Sequence, residues 1–181
     1  MSADGETRLH ALVVGGTGML RGLTLALAGD GYTVSVIARS EQRLRSLADA
    51  AGQSFGHIDS VSRINPLPVD YRDTAQLRET VSAAIAKQGP FRLAVCWIHS
   101  VAPQALGVIA QLIGESSDSC RLFHVLGSAA ANPAKAAARL PQWLPLYPNI
   151  RYRQVILGFV IEGGASRWLT HAEISDGVLA A

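Results

Sequence analysis

The chain has 181 residues, 49% of them hydrophobic and 17% charged, with a formal net charge of +2. That length suits one domain, 1–181, around a single core, and the apolar content excludes a disordered chain. The scattered charge leaves no footprint for nucleic acid, and no apolar run approaches the about eighteen residues of a membrane-spanning helix.

Cys96 and Cys120 lie in the apolar runs "LAVCWI" and "CRLFHVLG" and read as core residues. No metal-ligand spacing is present, so no metal is expected. The polar start "MSADGETRLH" does not read as a secretory leader, and residues 1–8 are expected to be flexible. A cytoplasmic, reducing compartment is the expectation.

Along the chain, apolar strand-like runs alternate with helical patterns. A strand over 9–14 leads through "GGTGMLRG" into a helix over about 18–28, and "GDGY" breaks it before a second strand, Thr33 to Ala38. Ser40 is a predicted N-cap for "SEQRLRSLADAA", with Leu44 and Leu47 at helical spacing. A proline-bearing third strand, "NPLPVD", ends near Asp70, and Asp73 is placed to cap the helix "TAQLRETVSAAIAKQG".

"FRLAVCWI" is a fourth strand, "APQALGVIAQLIGES" a helix, "CRLFHVLG" a fifth strand, and "RYRQVILGFVI" a sixth. Between the last two lie a short helix, "PAKAAARL", and a segment over 140–149 rich in Pro, Trp143 and Tyr147. That segment is either a lid or partner surface, or a crossover packed on the sheet edge. Thr170 and Glu173 have capping-box spacing for a final short helix. The pattern specifies an α/β fold, a doubly wound parallel sheet of about six strands with helices on both faces.

In such sheets ligands bind where the strand order reverses, at the carboxyl ends of the strands. Gly15 permits a tight turn and Gly18 lets backbone approach a pyrophosphate, at a helix start whose N–H groups favour anions. Arg21 fills the third glycine's place. Gly22, one residue later, is expected to take over the close packing of helix on strand.

The second strand ends in Arg39 and Ser40 with no acid, the chemistry of a 2′-phosphate site rather than of free ribose hydroxyls. Arg21 either adds charge there or faces water. NADP(H) is therefore expected over NAD(H), and the turn residues Gly15, Gly16, Thr17, Gly18, Met19 and Leu20 are the expected cradle.

These stretches, with "VDYRD" after the third strand and "VLGSAA" after the fifth, resemble the short-chain dehydrogenase/reductase superfamily, a Rossmann-like fold, over about residues 9–160. The resemblance implies that Asp70 meets the adenine edge with Tyr71 beside it. It also places Trp97, Ile98, His99 and Ser100 against the ribose and nicotinamide, Ser128 at the catalytic serine, and Phe159 and Val160 near the nicotinamide. It implies an oxidoreductase acting on a small carbonyl or alcohol, the particular substrate being open. A homo-oligomer follows only by fold analogy.

The family's catalytic Tyr-x-x-x-Lys pair is missing. Tyr32, Tyr71, Tyr147 and Tyr152 are followed four residues later by Val36, Ala75, Arg151 and Ile156, and the only lysines are Lys87 and Lys135. His99, Ser100 and Ser128 are the candidate catalytic cluster, with His99 either an acid–base or a backbone-bonded floor residue. The alternative function is a dinucleotide-binding sensor or scaffold without turnover. His124 reads as a core histidine, and His171, beside the capping box, as an exposed one.

Overall fold

The computed structural model describes residues 9–55, 63–131 and 140–181. The expectations for residues 1–8 and for the helix "PAKAAARL" therefore lie outside the described residues or almost so.

Six parallel strands form one sheet: β1 His10–Val14, β2 Thr33–Ala38, β3 Ile64–Pro68, β4 Leu93–Trp97, β5 Cys120–Leu126 and β6 Ile150–Ile156. Their order is β3-β2-β1-β4-β5-β6, so the chain reverses direction across the sheet between β1 and β4. Helices α1 Arg21–Gly29, α2 Glu41–Phe55, α3 Thr74–Gln88 and α4 Ala105–Ser116 make the crossovers between successive strands from β1 to β5.

Alternate residues of each strand feed opposite faces. Leu12, Val14, Cys96 and Leu122 pack with α3 and α4 through Leu77, Val81, Ile109 and Ile113. Ala11, Val13, Val36 and Val95 pack with α1 and α2 through Leu23, Leu27, Leu44 and Leu47. Both thiols are free and buried, and burial raises both pKa values. Pro66 and Pro68 are tolerated because β3 pairs only with β2 and leaves one edge free of ladder bonds.

The caps follow the expected chemistry. The Asp73 carboxylate accepts from the amides of Ala75 and Gln76, and the Ser40 hydroxyl accepts from Arg43 N–H at 3.3 Å. Thr170 and Glu173 form a reciprocal capping box at the start of α5, His171–Leu179.

Three boundaries differ from expectation. Helix α1 starts at Arg21 rather than near Gly18, because residues 15–20 are consumed by the turn. The third strand runs over 64–68 instead of 65–70. The run expected as one sixth strand stops at Ile156; Phe159–Glu162 (β7) and Ala165–Trp168 (β8) then form a separate antiparallel hairpin. Gly163 and Gly164, both at positive φ (58° and 82°), make its two-residue turn, a geometry that side chains resist.

The segment over 140–149 is the packed crossover of the two alternatives. Trp143 and Tyr147 seat their rings against Gly107 and Gly114 of α4, where a Cβ at Gly114 would come within 2.2 Å of the Tyr147 ring. The Asn149 amide donates to the carbonyls of Gly114 and Ser117.

At the end of the sheet away from the turn, three strands share a buried polar chain. The Gly89 carbonyl can only accept, so His10 donates from Nδ1 (2.7 Å), and its bare Nε2 accepts from the Ser35 hydroxyl (2.8 Å). The Asn65 amide donates to the same hydroxyl oxygen at 2.9 Å. Burial lowers the His10 pKa below 6.5, and it lowers that of His124, whose Nδ1 faces the Tyr152 hydroxyl at 2.9 Å. The unfolded chain thus binds protons that the folded one refuses, so stability is complete above about pH 6.5 and falls as the pH drops below it. The urea midpoint should decline steadily from pH 7 to pH 5, and His10→Gln should remove part of that slope; an unchanged slope would exclude His10 as a source.

Candidate functional site

The site grows out of the turn between β1 and α1. Gly15 sits at φ 88°, a conformation costly for any side chain, and a Cβ there would stand 3.3 Å from the Trp97 Cβ. Its amide donates to the Ile37 carbonyl, tying the turn to β2, while Gly18 N–H returns to the Gly15 carbonyl.

Gly16 is the position of closest packing. A Cβ there would lie 2.7 Å from Thr24 Oγ1 on α1 and 2.8 Å from a Val36 methyl on β2. The packing task expected of Gly22 therefore belongs to Gly16. Gly22 instead faces α5, where a Cβ would come within 3.1 Å of Ser175, whose hydroxyl donates to the Met19 carbonyl at 2.9 Å. Helix α5 thus grips the turn itself, a contact the spacing of the glycines does not announce.

Gly18 is different: a Cβ there would meet only the Gly15 carbonyl, at 3.9 Å. Helix α1 has no side-chain cap at Leu20 and no acid in its first turn. Among the described residues, the amides of Thr17 and Met19 have no backbone acceptor. N–H groups at a helix start with no competing carboxylate favour an anion over a cation.

A cleft of about 630 Å³ opens above it. Gly15, Thr17, Gly18 and Met19 form one wall, and Arg39, Ser40 and Arg43 another. Tyr71, Trp97, His99 and His171 complete it. Gly16 and Leu20 are buried beneath the turn and support it without facing the cleft. Ile98 packs against the core on the α3–α4 side.

A smaller recess of about 230 Å³ adjoins Arg39 and contains Asp70, Tyr71, Arg72, His99 and Ser100. Arg72 forks onto both oxygens of Asp70, and this hydrogen bonding holds the carboxyl at a pKa of about 2. The acid is thus ionised and already paired. The His99 amide approaches the Tyr71 hydroxyl at 3.5 Å.

Of the candidate cluster, His99 and Ser100 line this recess and Ser128 is not among the residues lining it. The Trp97 indole runs from Gly15 to within 4.0 Å of where a Gly127 side chain would start, and packs edge-on to His99. His99 and Ser100 lie with Asp70, whereas Ser128 opens a single 3₁₀ turn after Gly127. Beyond Trp97 a second recess of about 290 Å³ is lined by Met19, Gly127, Leu157, Gly158, Trp168 and His171, among others. Phe159 and Val160, expected near a nicotinamide, lie in the hairpin, with Phe159 57% exposed, and it is Leu157 and Gly158 that line this recess. Arg43, Trp168 and His171 were not singled out as site residues from sequence. Arg43 could have been, since it lies one helical turn from Ser40.

Among the described residues no helix is long and apolar enough to cross a membrane. No family model matches the chain, and no curated protein does. Solved structures do. A β-ketoacyl-[ACP] reductase from Bacteroides thetaiotaomicron aligns with 96% of this chain and 90% of its own at 17% identity and TM-score 0.73. An alcohol dehydrogenase from the archaeon Thermococcus sibiricus, complexed with 5-hydroxy-NADP, aligns with 96% and 89% at 16% identity and TM-score 0.71. A short-chain dehydrogenase/reductase from Serratia marcescens aligns with 82% and 73% at 18% identity and TM-score 0.66. The fold is the Rossmann-like fold of these oxidoreductases.

The two glycines separate packing from ligand approach. Gly16→Ala should lower unfolding stability by about 1–3 kcal/mol, the usual cost of overpacking. Gly18→Ala should stay within about 0.5 kcal/mol of the parent. Chemical denaturation of both variants checks this, and equal losses would contradict the assignment.

Proposed function

We propose that the chain is an NADP(H)-dependent oxidoreductase of the short-chain dehydrogenase/reductase kind, acting on a small carbonyl or alcohol. The observation that carries the proposal is the convergence of an uncapped α1 N-terminus with Arg39, Ser40 and Arg43 in one cleft.

The residues fit a dinucleotide phosphate by phosphate. The Thr17 and Met19 amides and the start of α1 suit the pyrophosphate, and Gly18 leaves room for its approach. The forked guanidinium of Arg39, with Arg43 and the Ser40 hydroxyl, suits a 2′-phosphate. Asp70 would otherwise repel that phosphate; its charge is matched by Arg72, while spare lone pairs can accept from the adenine amino group. Trp97 forms the wall between this half of the cleft and the recess near Gly127 and Leu157.

When bound, a nicotinamide supplies or accepts hydride. The chain's part is to hold the dinucleotide extended, to exclude water with Trp97 and Trp168, and to present hydrogen-bond donors. No tyrosine stands four residues before a lysine, so any proton transfer falls to other groups lining the cleft.

Thermal stabilisation and calorimetric titration test the proposal. NADPH should bind about 10–100-fold more tightly than NADH, the value of one or two charge-assisted hydrogen bonds. Arg39→Ala with Arg43→Ala should erase that preference while leaving NADH affinity nearly unchanged. Absence of stabilisation by either dinucleotide would overturn the proposal. Tight binding without turnover over a panel of small aldehydes, ketones and alcohols would overturn its oxidoreductase half.

A further inference from the structure

Right-handed crossovers put α3, α4 and the segment over 140–149 on one face of the sheet, so at β5 and β6 the opposite face depends on α5 for cover. That cover stops between β4 and β5. Leu93 of β4 is 6% exposed, while its register partner on β5, Arg121, is exposed. Ile174 and Val178 of α5 join the core cluster that holds Val125, but Phe123 and Val155 on the same face are only half-buried.

Below Phe123 the uncovered face carries arginine. Cys120, Leu122, Ile150 and Tyr152 point into the α3–α4 core, so Arg121, Arg151 and Arg153 point the other way. Arg121 and Arg151 are in register on neighbouring strands, about 4.8 Å apart, and Phe123 is in register with Arg153. All three arginines are exposed. Among the described residues none of them meets a carboxylate; the ion pairs belong to Arg45, Arg72 and Arg167. Arg153 donates only to the adjacent Tyr152 carbonyl, at 3.1 Å. Like charges in register repel, and parallel sheets are otherwise covered on both faces.

We infer that this face is a docking surface for an acidic amphipathic helix of a partner protein, which supplies the missing layer. Its apolar residues cover Phe123 and Val155, and its carboxylates meet Arg121, Arg151 and Arg153. Carboxylates one helical turn apart stand about 5–6 Å from each other, close to the spacing of the arginines along and across the strands. A guanidinium fork takes a carboxylate through two parallel bonds. The charges do not select a second copy of this chain. Among the described helices, α2 sets Glu41 and Asp49 against Arg43 and Arg45, α3 is net positive, and α4 carries Glu115 alone. Glu173 of α5 is already held by Arg167. The arginines lie toward the amino ends of β5 and β6, away from the glycine turn, so docking leaves the cleft open.

The probe is a short labelled helical peptide with Glu along one face and Leu beside it, compared with the same peptide carrying Gln for Glu. Fluorescence anisotropy with the full chain should show the acidic form bound at least about tenfold more tightly, a preference that shrinks as salt rises. Arg151→Gln with Arg153→Gln should weaken the acidic peptide about tenfold and leave the Gln form unchanged. Arg45→Gln, the same kind of charge change on α2, should alter neither. In the free chain Arg151→Gln should raise the melting temperature by about 1–3 °C at low salt, because its repulsion with Arg121 is gone. Equal binding of the two peptides, no binding of either, or equal weakening by Arg45→Gln would overturn the inference. A fall in melting temperature would assign the arginines to the fold and overturn it too. Tighter binding of tripolyphosphate or a DNA duplex through the same arginines would overturn it in favour of a phosphate ligand, and self-association lost in Arg151→Gln in favour of a second copy.

Discussion

The contact at Gly16 controls where everything else can stand. With no side chain at that position, Thr24 of α1 and Val36 of β2 close over the turn, and the helix is pressed onto the sheet. That closeness places the free amides of the α1 N-terminus at the carboxyl ends of β1 and β2, beside Arg39 and Ser40. A side chain at Gly16 would lift the helix and draw the two anion-binding groups apart. The positive φ of Gly15 is a second consequence, since the chain must turn away from β1 immediately beneath Trp97.

Trp97 then divides the active end of the sheet into two chemistries. On the side of β2 the surface is polar and cationic, and the nearest acid, Asp70, is matched by Arg72. On the side of β5 and β6 it is apolar, bordered by Trp168 of the hairpin and by α5, whose Ile174 and Val178 join the α1–α2 face of the core. The arrangement suits a molecule with an anionic end and an uncharged reactive end, which is the polarity of a phosphorylated dinucleotide. Helix α5 joins the halves mechanically, because it contacts the turn through Ser175 and the hairpin through Glu173 and Arg167.

The fold, and the meeting of the glycine turn with Arg39 and Ser40 in one cleft, were legible because their signals are local. A glycine turn after an apolar strand, and Arg39 and Ser40 where an acid would otherwise stand, need no knowledge of distant contacts. The hairpin was legible in principle, since Gly163 and Gly164 are the residues a two-residue turn demands, but the apolar run over 151–161 conceals the break at Leu157 and Gly158. The reactive half was not legible. Ser128 and His99 follow neighbouring strands, and the course of the Trp97 indole between Gly15, Gly127 and His99 is a three-dimensional feature that strand order does not give. His171 is exposed, as its place beside the capping box implies, and only the folded chain brings it to the rim of the cleft with Gly15 and Trp97. Similarly, the close packing at Gly16 and the α5 contact at Gly22 exchange the tasks that glycine spacing alone assigns.

The most direct measurement is the map of backbone amide shifts in an NMR titration with NADPH. The account requires the largest changes at Thr17, Gly18 and Met19 in the turn and at Arg39, Ser40 and Arg43 across the cleft, with smaller ones at Trp97 and His171. Shifts concentrated instead along the groove between β3 and α3, around Asn65, Glu79 and Lys87, or no shifts at all, would contradict it.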